Sequence, residues 1–159
     1  MTISVGDKLP DVELRTMTAD GPTAVSSLDA LGKGKVVLFA VPGAFTPGCS
    51  NVHLPGFIEG ADELRAKGVD TIACIAVNDP FVMDAWGKAH DVGDKILLLA
   101  DGNGTFTEAV DLVLDGSGFG LGSRSKRYAA ILQDGVLTSL DVDGAAVENS
   151  TCSNLLLKL

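Results

Sequence analysis

The sequence predicts an α/β domain with a mixed central sheet flanked by helices, on three observations. Residues 35–41 (KVVLFAV), 69–77 (VDTIACIAV) and 96–99 are short, nearly continuous apolar runs, the pattern of strands covered on both faces. Segments of helical period separate them, so strand and helix alternate along the chain. Asp134-Gly135, a turn dipeptide, lies between runs at 127–132 and 136–142, which predicts a hairpin and antiparallel strands. The 159 residues, 46% of them hydrophobic, suit one domain spanning 1–159. They contain no internal repeat, low-complexity run or linker.

Each element has a local reason. Pro42 follows the first apolar run and has no N–H for a sheet ladder, so that strand ends there. From Pro47 the period is helical: Leu54, Phe57, Ile58, Ala61 and Leu64 share one face, while Glu59, Glu63 and Lys67 lie off it. Gly68 marks the helix end. Asn78-Asp79-Pro80 is a capped start, with proline in first position, for a helix over 81–90. A short helix over 105–110 follows the third strand. After the hairpin, a last helix begins near Ser153 or Asn154. This order is that of a thioredoxin-like fold, and other three-layer α/β folds share it.

Composition removes several function classes. A net charge of −9 disfavours nucleic acid as a partner, since phosphate binding needs clustered Lys and Arg. The longest apolar run is too short to cross a bilayer. Residues 1–10 (MTISVGDKLP) show neither the basic nor the apolar region of a leader, so a soluble cytoplasmic protein with no membrane partner is expected. Cys49, Cys74 and Cys152 lie far apart, with no CxxC and no Cys/His cluster. That argues against a disulfide-stapled scaffold and against a structural zinc site. Residues 116–122 (GSGFGLG) are glycine-dense but fit no nucleotide-binding fingerprint. Neither cofactor nor metal is expected.

The chemistry-bearing stretch runs from Pro42 to Ser50. Thr46-Pro47 reads as a helix cap and first helical residue, which puts Cys49 in the first turn. Unpaired N–H groups and the positive end of the helix dipole there favour a thiolate over a thiol. Loops that leave a central strand and open a helix are also where α/β folds place their sites. Taken alone, these residues leave Cys49 between a reactive thiol and a buried inert one.

Pro42-Gly43-Ala44-Phe45-Thr46-Pro47-Gly48-Cys49 resembles the peroxiredoxin signature Pro-x-x-x-Thr-x-x-Cys. The continuation Ser50-Asn51-Val52-His53-Leu54-Pro55-Gly56-Phe57 resembles the type II subfamily, to which peroxiredoxin 5 belongs. The likeness extends through Val77-Asn78-Asp79-Pro80-Phe81-Val82, Trp86-Gly87-Lys88, Leu98-Leu99-Ala100-Asp101-Gly102 and Arg124-Ser125-Lys126-Arg127-Tyr128, nearly the whole chain.

The resemblance implies a thiol-dependent peroxidase that reduces hydrogen peroxide and alkyl hydroperoxides. Cys49 matches the nucleophile that becomes a sulfenic acid. Thr46 matches the threonine that contacts sulfur and peroxide, and Pro42 the proline that shields the site. Arg127 matches the arginine that holds the thiolate and the transition-state oxygens. An arginine opening a strand otherwise reads as a surface residue, and the Lys-Arg-aromatic context distinguishes Arg127 from Arg124. Pocket candidates are Gly48, Phe45 and, on the glycine-rich loop beside the site, Phe119 and Leu121. His53, one turn beyond Cys49 on the same face, is expected to support the pocket by hydrogen bonds.

A sulfenic acid must meet a thiol before it over-oxidises. Cys152, in Ser150-Thr151-Cys152-Ser153, resembles the resolving cysteine of animal type II enzymes, with a shorter tail after it. Cys74, in a buried-strand pattern, matches a cysteine of plant type II enzymes and is the alternative. Direct capture by glutathione or glutaredoxin is a third route, and thioredoxin is the other candidate reductant. Segments carrying Phe45, Phe81, Trp86 and Gly87 form the dimer contact of related enzymes, so a homodimer is expected. The rival classes are a thiol–disulfide carrier, disfavoured by the missing CxxC, and a redox sensor or chaperone-like module without efficient turnover.

Overall fold

The chain begins with a hairpin that no apolar pattern announces. In this computed structural model, which describes residues 1–144 and 146–159, β1 (Glu13–Thr18) pairs antiparallel with β2 (Gly21–Ser26). Leu14 is the deeply buried residue of β1, and the others are half-buried or exposed, so a period-two signal is missing. Pro22 is tolerated because β2 is an outer strand of the sheet. Ser26 then caps α1 (Ser27–Leu31).

β3 (Lys35–Ala40) is the first expected strand. Val37 and Phe39 face one core cluster, while Val36, Leu38 and Ala40 face the other, which is why the run is continuously apolar. After α2 (Leu54–Ala66) comes β4 (Thr71–Ala76), then α3 (Pro80–Ala89) and β5 (Leu97–Ala100). The three strands are parallel, with β4 in the middle. β4 is shorter than the expected 69–77, and β5 sits one residue beyond the expected 96–99. Asp79 caps α3 by accepting the Val82 N–H at 2.8 Å, as Asn78-Asp79-Pro80 predicts. Along α2, Leu54, Phe57, Ala61 and Leu64 are buried and Ile58 is half-buried, and Phe57 stacks on Phe39 with ring centroids 4.0 Å apart.

α4 (Thr105–Ala109) leads into a two-stranded ribbon, β6 (Val113–Asp115) with β7 (Ser123–Ser125), which the sequence pattern also misses. β8 (Arg127–Gln133) and β9 (Val136–Asp143) form the expected hairpin, with Asp134 and Gly135 at φ 49° and 82°. The last helix, α5 (Cys152–Leu156), begins one to two residues before the expected Ser153 or Asn154. Thr151 caps it by accepting the Asn154 N–H at 3.1 Å.

The sheet order is β2-β1-β5-β4-β3-β8-β9, mixed and seven-stranded, with an apolar cluster on each face. Among the described residues no helix is long and apolar enough to cross a membrane.

Candidate active site

The loop leaving β3 carries the site and is held from two sides. The Ala44 N–H donates to Asn78 Oδ1 at 3.0 Å, which ties the loop to the start of α3. The Thr46 N–H donates to the Gly43 carbonyl at 3.3 Å. Between them Phe45 adopts φ 65°, a left-handed conformation unfavourable for a bulky residue and a form of strain that clusters at functional sites. Helical turns begin at Pro47. The turn over Cys49–His53 is wide, with the Leu54 N–H donating to the Cys49 carbonyl five residues back. Pro55 accounts for it: in a regular helix its ring would collide with the carbonyl of Asn51.

Cys49 is fully buried at this helix start, and two donors reach its sulfur. Thr46 Oγ1 lies 2.9 Å from Cys49 Sγ and 2.7 Å from the Gly43 carbonyl. Its single proton serves one acceptor at a time. Arg127 Nη2, from the first residue of β8, donates to Cys49 Sγ at 3.3 Å. A Cβ on Gly48 would stand 3.0 Å from that nitrogen, so the close approach depends on glycine.

His53 orients the arginine. Arg127 Nη1 lies 3.0 Å from His53 Nδ1, and His53 Nε2 lies 2.7 Å from the Ser150 carbonyl. A guanidinium only donates and a carbonyl only accepts, so the imidazole is neutral, with its proton on Nε2. Burial, aided by the charge of Arg127 and opposed by the Ser150 bond, lowers the His53 pKa to about 4, in keeping with that form. Among the described residues Arg127 Nε finds no acceptor.

Other expected residues divide. Pro42 is half-buried beside the site, and its carbonyl accepts from Arg124 Nη1 at 3.4 Å. Arg124 also donates through Nε to the Leu121 carbonyl at 3.0 Å, so it ties the glycine-rich loop to the active-site loop. Leu121 thus borders the site through its backbone. Phe119 does not: it stands 89% exposed on a short turn that Gly120 and Gly122, at φ 72° and 69°, lead away from the core. Trp86 and Gly87 belong to the interior rather than to a free face. Trp86 Nε1 donates to Ser50 Oγ at 2.9 Å beneath the helix start, and Gly87 packs on Leu98.

Cys74 is fully buried in β4, where burial pushes its thiol well above the usual range. Cys152 is buried against Gly60, three helical turns or roughly 16 Å along α2 from Cys49. Burial, then the charge of Glu63, raises its pKa to about 11. Sequence reasoning missed Asn78 as a loop anchor, Ser50 as the partner of Trp86, and Ser150. The last acts through its main-chain carbonyl, which no side-chain pattern marks.

A thiol at a helix start, on a thioredoxin-like sheet, bonded by arginine and threonine and without a CxxC partner, is the candidate redox site of the chain. Comparison with known proteins shows the family. The redoxin family model matches residues 4–156. The chain is 53% identical over 165 residues to chloroplastic Peroxiredoxin-2E of Arabidopsis thaliana, covering 99% of this chain and 70% of that protein. The structure of reduced Prx3 from Vibrio vulnificus in complex with hydrogen peroxide superposes with a TM-score of 0.94 at 48% identity, covering 99% of both chains. Peroxiredoxin 5 from Alvinella pompejana superposes with a TM-score of 0.86 at 40% identity, covering 98% of this chain and 96% of that one. The chain belongs to the peroxiredoxins, in the type II, peroxiredoxin 5-like group, and is therefore a thiol peroxidase.

Proposed function

We propose that Cys49 is the peroxidatic residue, assisted by Thr46, Pro42 and Arg127. The observation that carries this reading is the pair of donors, Thr46 Oγ1 and Arg127 Nη2, on one buried sulfur. The Cys49 thiolate attacks one peroxide oxygen, an S–O bond forms and the O–O bond breaks. Sulfur is oxidised to the sulfenic acid, and the departing oxygen takes a proton and leaves as water or alcohol. Negative charge grows on that oxygen, and a fixed guanidinium stabilises it as it develops. The free Nε of Arg127 is one donor still uncommitted. The peroxide bound to the Vibrio protein supports hydrogen peroxide as a substrate here. Gly48 admits the arginine, Phe45 and Leu121 border the entrance, and Phe119 joins the pocket only if the glycine-rich loop turns inward.

Cys152 is the favoured resolving thiol: it condenses with the sulfenic acid, forms the disulfide and releases water. A disulfide needs Cα atoms within about 7 Å, so the segment before α5 must leave its place against α2. Cys74, locked in the central sheet, is the weaker candidate, and glutathione or glutaredoxin capture is the external route. Thioredoxin or glutaredoxin then restores the thiols. Exposed Phe45 and Phe81, at 55% and 65%, favour a homodimer through that face. One sheet built from strands between Glu13 and Asp143 favours action as a single domain. Unpaired cysteines favour a reducing compartment such as the cytoplasm.

Mass spectrometry after one equivalent of hydrogen peroxide tests the scheme. Wild type is expected to give a Cys49–Cys152 disulfide, and Cys49→Ser to consume no peroxide. A Cys49–Cys74 disulfide or a glutathione adduct at Cys49 would reassign the resolving step. Undiminished turnover by Cys49→Ser would remove Cys49 from the mechanism.

A further inference from the structure

The contacts that end at Cys49 do not begin at His53. The Ser150 carbonyl that accepts from His53 belongs to residues 146–151, which lead into α5, and one buried carboxylate gathers 148–150. Asp143, the last residue of β9, accepts the Ser150 N–H at 2.8 Å and the Ser150 hydroxyl at 2.6 Å through Oδ2. It also takes the Glu148 N–H at 3.0 Å and the Asn149 N–H at 2.9 Å. Burial raises its pKa, but these four donors together pull it down to about 2, so the clasp is ionised in any working buffer. Among the described residues, the further bonds on 148–150 are Asn154 Nδ2 on the Asn149 carbonyl and His53 on Ser150.

We propose that Asp143 is a positioning residue for peroxide reduction: it clasps residues 148–150, presents the Ser150 carbonyl to His53 and so sets Arg127 against Cys49. The inference rests on Cys49 and Arg127 acting as proposed above. Its physical core is the tautomer. With the Ser150 carbonyl in place, the proton sits on Nε2 and Nδ1 accepts from Arg127. With the carbonyl withdrawn, the ring is free to turn or to carry its proton on Nδ1, facing a guanidinium that only donates. Arg127 then loses one of its two described anchors, since its Nε has none. Cys152 lies two residues beyond Ser150, so the excursion that brings it toward Cys49 pulls on the same clasp.

Asp143→Asn in the full-length chain tests this. The amide keeps the size but turns its NH2 toward main-chain N–H groups. Three quantities are read: the rate constant for Cys49 oxidation by hydrogen peroxide, the iodoacetamide labelling rates of Cys152 and Cys74 in a Cys49→Ser background, and the 15N shifts of the His53 ring. Oxidation is expected to slow roughly tenfold to 100-fold, the scale of a misplaced reacting group. Cys152 should label faster, Cys74 should not, and His53 should lose the pure Nε2–H pattern. Ser150→Ala, which removes the hydroxyl and keeps the main chain, should fall between the two proteins. Oxidation at the wild-type rate with faster Cys152 labelling would overturn the proposal. If Cys74 labelling also rises, the whole fold has loosened and Ser150→Ala decides: an oxidation rate and His53 spectrum like wild type overturn it. Peroxide consumption surviving in Cys49→Ser would instead sink the assignment of Cys49, whatever Asp143 does.

Discussion

Cys49 and Cys152 occupy matching positions in different surroundings. Both lie in the first turn of a helix, and both are buried, at 0% and 5% exposure. Cys49 meets a guanidinium and a hydroxyl that donate to its sulfur. Cys152 meets the helix wall at Gly60 and the charge of Glu63, and its thiol is pushed up to about 11. A helix start does not by itself make a reactive thiol. At Cys49 the difference lies in the donors, Arg127 and Thr46, and at Cys152 burial without such donors raises the thiol.

The sharpest way to break this contrast is to remove the donor. Arg127→Ala should lower the rate of Cys49 oxidation by about 10²–10³-fold, as loss of a preorganised donor does elsewhere. Arg127→Lys should recover part of it, since the charge returns without the fork. Gly48→Ala, which forces the guanidinium back without deleting it, should cost less than Arg127→Ala. Stopped-flow kinetics would rank the three, and an unaffected Arg127→Ala would end the argument that donors distinguish the two thiols.

A second prediction concerns acid. Unfolded His53 binds a proton near pH 6.5, folded His53 only near 4, so between those values the unfolded chain binds more protons and acid favours it. Stability is full above about pH 6.5 and should fall by roughly 3 kcal/mol by pH 4. Urea midpoints across that window would measure the loss, and His53→Gln should flatten the slope. A midpoint independent of pH would mean that His53 is not held neutral.

The smallest effect is expected at the other thiol. A Cβ on Gly60 would overlap the Cys152 sulfur, so Gly60→Ala should displace α5 at a cost of about 1–3 kcal/mol. Iodoacetamide should then label Cys152 faster, while Asp143 still holds Ser150 and Cys49 oxidation is unchanged. A fall in oxidation rate equal to that of Asp143→Asn would show that α5, not the clasp, supports the arginine.

Legibility followed the range of the interaction. β3 and β4 were readable because strands buried on both faces write unbroken apolar runs, and β8 because the Asp134-Gly135 turn marks its end. The hairpin of β1 and β2 was not, because it buries little beyond Leu14. Cys49, Thr46 and Pro42 lie within one loop, and His53 one turn beyond, so short-range pattern placed them together. Arg127 came only through family resemblance, since an arginine opening a strand carries no local mark of its destination. Phe119 was expected at the pocket and stands in solvent, because the left-handed glycines after it set the turn's direction.

By itself, the chain's order of residues determined the central strands, the helix that opens at Pro47, and the loop that presents Cys49 beside Thr46. These rest on periodicity, proline and capping, which act between neighbours. Only the folded sheet decided that Arg127, 78 residues away, reaches that sulfur. It also decided that Ser150, 97 residues from His53, sets the imidazole, and that Cys152 lies three turns distant against Gly60. Strand order and helix packing bring those groups together, and no spacing along a linear chain encodes a distance across a sheet.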